Sequence, residues 1–349
     1  MSSPSTGTER PLEALVGRSI GAELPSELEE LLPPLMQDLR EIDARLEQVL
    51  QATYPQLTQA ARYACQGGGK RIRPLLMAVA LRALGADSTR SVHSLAAAFQ
   101  LIHTATLVHD DVIDHAELRR GRASVPRAFG LPVAIVTGDY LFVRAFELAA
   151  EYPRGIILRC GEACADLAEG EVLESGARFD LTTGRAHYFR VVERKTAAIV
   201  SAALASVAEI GGGGPPAVDA YAEYGRSVGI AFQLRDDVLD LYGDPDLLGK
   251  PLFSDLREGN PTLVALEAHA ALSGPEKGEF ERLFAIRRKQ SGDLLRLKEL
   301  TERAGAPERV GEEARRWAER AVHALTPIPP GPYRSLLEHL ARAAVARRF

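Results

Sequence analysis

Cysteine is scarce in this chain: Cys65, Cys160 and Cys164 are the three among 349 residues. An odd, low count excludes a disulfide framework and points to a reducing compartment. Cys160 and Cys164 sit one helical turn apart with no Cys or His close by in sequence, so they read as small buried apolar groups and not as metal ligands. Long hydrophobic runs are missing too. None reaches the roughly 20 residues of a membrane span, so no transmembrane segment is expected. The opening residues 1–10 are polar and lack the apolar core of a signal peptide, which makes the cytoplasm the expected location. A strong charge excess is also absent. At a net charge of −5 there is no global electrostatic case for nucleic acid, so any anion binding must come from local clusters. What remains is ordinary globular composition, 46% apolar and 26% charged, on a chain long enough for a sizeable core.

Residues 1–23 carry Ser, Thr, Gly and Pro and read as a flexible tail. Order is expected from residue 24 to 349 as a single all-α domain, opened by a capping box between Ser26 and Glu29. Apolar residues at helical spacing predict helices over 28–50, 74–84, 94–112, 134–150, 155–173 and 193–210, with Pro74 suited to a first helical position. No alternating strand pattern appears. Loops are expected at 67–69, 211–216 and 243–251, where Gly and Pro gather. Segments such as 94–108 are apolar nearly all round, as in helices buried inside a large bundle.

Two segments resemble each other: LVHDDVID at 107–114 and QLRDDVLD at 233–240. On a helix, positions i, i+1 and i+4 fall within about 100° of one another, so Asp110, Asp111 and Asp114 share a side, as do Asp236, Asp237 and Asp240. One such cluster would read as an exposed acidic helix end. Two, each at the foot of an apolar helix, are costly unless cations lie between them. All-oxygen ligands favour Mg²⁺, which takes one or two carboxylates plus substrate phosphate oxygens. The basic residues fit the same picture. GGGKRIRP at 67–74 is a flexible loop feeding a helix start, where backbone N–H groups attract anions. It lacks the spacing of a nucleotide P-loop. Lys70 and Arg73 add full charges there, Arg119 and Arg120 follow the first acidic cluster, and Lys195 and Lys250 flank the second half's apolar helices.

These motifs resemble the trans-isoprenyl diphosphate synthase family, specifically its long-chain bacterial members, over residues 30–349. The matching stretches, in family order, are GGGKRIRP at 67–74, LIHTATLVHDDVIDHAELRRG at 101–121, GDYLFVRAF at 138–146, KTA at 195–197, GIAFQLRDDVLDLYGD at 229–244 and GKPLFSDLREGNPTL at 249–263. The resemblance implies antiparallel helices around a deep central cavity, a homodimer, and about three Mg²⁺ ions on the two Asp clusters. It implies an allylic diphosphate held by Arg119, Lys195, Thr196, Gln233 and Lys250. It places isopentenyl diphosphate on Lys70, Arg73, His103 and Arg120. The implied reaction ionises the allylic C–O bond, adds the carbocation to the isopentenyl double bond and releases a proton, with no Ser, Cys or His nucleophile. One departure stands out: Asn260 sits where the family usually has Lys, removing a cation near the allylic diphosphate, with Arg257 a candidate to compensate.

Product length should depend on the wall beside Asp110. One helical turn rises about 5.4 Å, comparable with one isoprene unit. Ala105 and Thr106, one turn earlier, are small where short-chain relatives carry aromatics, so the expected product is longer than C20. Ile102 is a weaker obstacle, and Phe142 or Phe146 a deeper floor. Ala105 and Thr106 also read as ordinary packing residues. Rival functions are an HD-type metal-dependent phosphohydrolase using His109 and Asp110, a class I terpene cyclase, and a catalytically silent subunit of a heteromeric synthase. The doubled carboxylate-only clusters and the second basic site weigh against each.

Overall fold

The computed structural model describes residues 25–66, 71–243 and 252–346. The expected tail at 1–23, Lys70 and Lys250 therefore lie outside the described residues. The chain starts with a short α1 (Ser26–Glu29) and breaks before α2 (Leu32–Val49). The expected capping box does not form: Pro25 takes the cap position, so Ser26 is already inside the helix and makes no cap bond. α3 (Pro55–Cys65) follows, then α4 (Ile72–Ala83). α4 begins two residues before Pro74, which falls in the first turn, where its missing N–H would have no intrahelical partner.

The long α5 (Arg90–Ile113) ends in the first acidic cluster. After it comes a feature the residue pattern did not predict, a hairpin of two-residue strands, β1 (Leu118–Arg119) and β2 (Arg122–Ala123). Its turn residues Arg120 and Gly121 have φ of 54° and 73°, the left-handed pair a tight hairpin requires. Then follow α6 (Val125–Phe129), α7 (Leu131–Ala149), α8 (Arg154–Ala177) and α9 (Gly184–Val192). The helix expected from Glu193 opens as one π-helical turn (Glu193–Ala197) before α10 (Ala198–Ile210). α11 (Pro215–Tyr242) carries the second acidic cluster, and α12 (Ser254–Glu258) to α17 (Pro332–Ala346) complete the chain through α13 (Leu263–Ala271), α14 (Gly274–Phe284), α15 (Ser291–Arg303) and α16 (Ala306–Ala324).

The buried side chains form two clusters joined along α11. The first gathers α2, α4, α5, α7, α8, α10 and α17, and takes Tyr221, Tyr224 and Val228 from α11. The second gathers α9 and α13 to α16, and takes Ile230, Leu234, Val238 and Leu241 from the far half of α11. Tyr221 and Tyr224 are fully buried, and their hydroxyls donate to the carbonyls of Ala80 (2.6 Å) and Leu337 (2.7 Å). The acidic end of α5 adjoins the first cluster at Val108, and that of α11 adjoins the second at Val238 and Leu241.

One buried cation lies away from both acidic helix ends. Lys289 is 5% exposed, donates to the carbonyl of Ile286 (2.8 Å) and sits over the rings of Phe179 (4.8 Å) and Phe284 (5.4 Å). Burial lowers it from 10.5 to about 8, and Asp293 only partly opposes this. Between these two values the unfolded chain binds the proton that the folded chain has lost, so this group makes stability rise with pH there. The urea midpoint of the protein should therefore climb between pH 8 and 10 by a component that Lys289→Met lacks. Parallel urea titrations of the two proteins check this.

Candidate active site

The π-helical turn carries Lys195 and Thr196 between the two acidic helix ends. Close backbone contact holds it there. A Cβ on Gly170 of α8 would lie 2.7 Å from the Lys195 nitrogen, and one on Gly229 of α11 would lie 2.7 Å from the Ala197 Cα. Only glycine allows both helices to approach this turn so closely. Lys195 pairs with Glu171 (2.6 Å) and Glu174 on α8. Those carboxylates and nearby Asp110 hold its ammonium protonated, against the opposing effect of burial. The Thr196 hydroxyl donates to Gln233 Oε1 (3.1 Å), and Gln233 Nε2 donates to Asp237 Oδ1 (2.9 Å). Adjacent residues of one turn thus reach both acidic clusters.

In the first cluster, burial pushes Asp110 up to about 7; Lys195 draws it down, and Glu171 pushes it up. Asp111 is 2% exposed and accepts from Arg119 through Nη2 (2.5 Å) and Nε (2.7 Å). Burial raises Asp111, and the adjoining guanidinium opposes that rise. Asp114 pairs with Arg178 Nη2 (2.6 Å). In the second cluster, buried Asp237 accepts from the Tyr188 hydroxyl (2.6 Å), whose proton is held firmly by burial and by the charge of Asp237. Asp240 is 1% exposed and accepts from the backbone N–H groups of Ser254 and Asp255 (both 3.2 Å) and from the Ser254 hydroxyl. Asp236 is half-buried beside them on α11.

A basic group gathers about two turns earlier on the same side of α5, around His103. Arg73 is lowered to about 10 by burial and then by Arg120. His103 is driven well below its usual range by burial, then by Arg73, Arg120 and two further arginines, so it is neutral. The Arg73 Nε is buried without a hydrogen-bond partner among the described residues. Cations gathered this way are costly unless an anion joins them. The hairpin explains the division between the two sites. Its strand residue Arg119 reaches Asp111, while Arg120 in the turn faces the Arg73 pocket. Tyr63 fixes the hairpin to α3, donating to the Ala123 carbonyl (2.7 Å) beneath the Arg122 guanidinium (4.0 Å).

The expected chain-length residues separate by face. Ala105 and Ile102 are buried in the first core at 0% and 1% exposure. Thr106 is half-buried on the Asp110 side and donates to the His103 carbonyl (2.8 Å), while Phe142 and Phe146 are half-buried against the core. Arg257, the candidate to compensate for Asn260, is exposed. Tyr188, Glu171, Glu174 and Arg178 are additions that no motif singled out. The spacing of Glu171 and Glu174 on one helix face was their one local signal.

The acidic donors fit a hard divalent cation: they are all carboxylate oxygens, and burial holds Asp110 high enough to invite a counter-charge. Among the described residues no three metal-type side chains converge as a ready-made cage.

An all-α bundle in which two helices end in aspartate clusters, both reached from one π-helical turn, is the architecture of the isoprenoid synthase class. Residues 54–301 match the polyprenyl synthetase family. Octaprenyl diphosphate synthase of Escherichia coli (strain K12) is 36% identical over 323 residues, covering 92% of this chain and 99% of its own length. The crystal structure of polyprenyl synthase from Caulobacter crescentus CB15, complexed with calcium and isoprenyl diphosphate, has a TM-score of 0.87 at 37% identity, covering 93% of this chain and 98% of that one. A decaprenyl diphosphate synthase from Rhodobacter capsulatus has a TM-score of 0.85 at 34% identity, covering 92% and 99%. The chain belongs to the polyprenyl synthetase family.

Because Gly170 and Gly229 set the position of Lys195 and Thr196, Gly229→Ala should cost about 1–3 kcal/mol through overpacking. Its urea midpoint should fall, and turnover should fall further than the lost stability explains.

Proposed function

We propose that this protein is a prenyltransferase that adds isopentenyl diphosphate repeatedly to an allylic starter, releasing diphosphate and making an all-trans polyprenyl diphosphate longer than C20. The observation that supports this reading is an acidic cluster and a cluster of buried basic groups gathered along one helix, α5. A hydrolase needs one diphosphate site; a condensing enzyme needs two.

Arg119, Lys195, Thr196, Gln233 and Lys250 hold the allylic diphosphate between Asp110, Asp111 and Asp114 on one side and Asp236, Asp237 and Asp240 on the other. These six carboxylates would hold about three Mg²⁺ ions. Bound Mg²⁺ supplies a Lewis acid that stabilises the diphosphate as the allylic C–O bond ionises. Lys195 stays protonated throughout, so it stabilises the leaving diphosphate by charge and not by giving up a proton. Tyr188 fixes one Asp237 oxygen and leaves the rest of that carboxylate to its other partners. Lys70, Arg73, His103 and Arg120 hold isopentenyl diphosphate. Neutral His103 contributes a hydrogen bond there without adding to the arginine repulsion.

A homodimer is supported by apolar side chains standing in solvent on α7 and α8: Leu131, Val136 and Val143 are 51–57% exposed, and Val172 is 72% exposed. No described helix is long and apolar enough to cross a membrane. The cytoplasm is the location in keeping with three unpaired cysteines.

Purified protein incubated with Mg²⁺, labelled isopentenyl diphosphate and each starter in turn should yield prenyl diphosphates beyond C20 on chromatography. Release of diphosphate without consumption of isopentenyl diphosphate would instead identify a hydrolase. Thr106→Phe should shorten the product, because Thr106 faces the substrate side of α5. Ala105→Phe should act more weakly on length and cost about 1–3 kcal/mol, because Ala105 is buried in the core. Unchanged product length in both variants removes this turn of α5 as the length gauge.

A further inference from the structure

The first acidic cluster has a cation for each carboxylate. Lys195 lies beside Asp110, Arg119 grips Asp111, and Arg178, the residue that ends α8, holds Asp114 at 2.6 Å. Two of these cations already belong to the allylic diphosphate in the reading above. The third is placed in the same way.

Arg178 also shares a partner with Asn260. Its guanidinium lies 3.8 Å from the Glu258 carboxylate, to which Asn260 Nδ2 donates at 3.2 Å. Asn260 is 9% exposed, and its Oδ1 is buried without a hydrogen-bond partner among the described residues, as is the Nε of Arg178. The guanidinium therefore has donor capacity beyond the pairs it makes. Main-chain contacts fix its position. The next residue, Phe179, donates its backbone N–H to the Gly259 carbonyl (2.7 Å), and a Cβ on Gly259 would come within 2.4 Å of the Phe179 ring. The turn at 258–260 follows α12, whose first residues are held by Asp240. Arg178 is thus tied to Asp114 on one wall and, through this turn, to Asp240 on the other.

We propose that Arg178 is a diphosphate-binding residue of the allylic site, supplying the cation that position 260 lacks. The proposal rests on the reading of the protein as a prenyl diphosphate synthase. With substrate bound, the guanidinium exchanges Asp114 for a diphosphate oxygen while Glu258 keeps it oriented. The planar donor fork of arginine suits that exchange.

The test compares wild type, Arg178→Met, Arg178→Gln and the double variant Arg178→Met with Asn260→Lys. Three quantities are measured: KM for the allylic diphosphate, KM for isopentenyl diphosphate, and calorimetric affinity for inorganic diphosphate with Mg²⁺. Losing one charge-assisted contact should raise the allylic KM and weaken diphosphate binding by about tenfold each, with the isopentenyl KM changed by less than about twofold. Asn260→Lys should recover most of that loss. Arg178→Gln, which keeps a donor for Asp114 but no charge, should behave like Arg178→Met and carries the test if Arg178→Met does not fold. Wild-type diphosphate affinity in Arg178→Gln overturns the proposal. So does an equal rise in both KM values, or no recovery by Asn260→Lys. A wild-type protein that makes no prenyl product would sink the activity reading alone, since diphosphate affinity reports on Arg178 independently.

Discussion

Carboxylates buried at the ends of apolar helices are the constraint on which this site depends. Asp111, Asp237 and Asp240 are each at most 4% exposed, and a lone carboxylate at such depth would cost several kcal/mol. The described partners meet this cost in three ways. Asp111 has a forked guanidinium, Asp237 a phenol and an amide, and Asp240 the opening N–H groups of another helix. Each solution fixes an oxygen in place. The same contacts that make the charges tolerable therefore orient them for a cation.

Two short irregularities distribute the positive side chains. In the hairpin, the strand residue Arg119 pairs with Asp111 while its turn neighbour Arg120 lies beside Arg73 and His103. In the π-helical turn, Lys195 approaches the first acidic cluster while Thr196 connects through Gln233 to the second. A regular helix would set neighbours about 100° apart by rule; these local departures set the angle to the task. Strain is low at the hairpin because Gly121 occupies one of its two left-handed positions. At the π-helical turn, Gly170 and Gly229 remove the side chains that would otherwise hold the flanking helices away.

Much of this was legible in the residue pattern. The buried helices declared themselves because α5 and α10 are apolar all round, and the doubled aspartate pattern marked the ends of α5 and α11. The basic residues beside them followed from their motifs. What stayed hidden depends on distant pairing or on short elements. A two-residue strand has too few positions to show alternation. Ser26 resembled a cap until Pro25 took that place. Tyr188 meets Asp237 across 49 residues, and Arg178 meets Asp114 across 64, so neither contact leaves a local periodicity. Arg257, next to that turn in sequence, is exposed, whereas Arg178 at the end of α8 comes within 3.8 Å of Glu258.

The faces of α5 also separate two tasks that the residue order interleaves. His103, Thr106 and Asp110 are spaced by three and four, so they form one stripe along the helix. Ile102 and Ala105 lie on the stripe beside it, and both are sealed in the core. Bulk added on the first stripe meets a half-buried face, where Thr106 and Asp110 are not sealed in the core. Bulk added on the second must first displace packed neighbours, so part of its effect appears as lost stability. Of the two residues in this turn, Thr106 is therefore the one that admits bulk with less disturbance of the helix that positions the first acidic cluster.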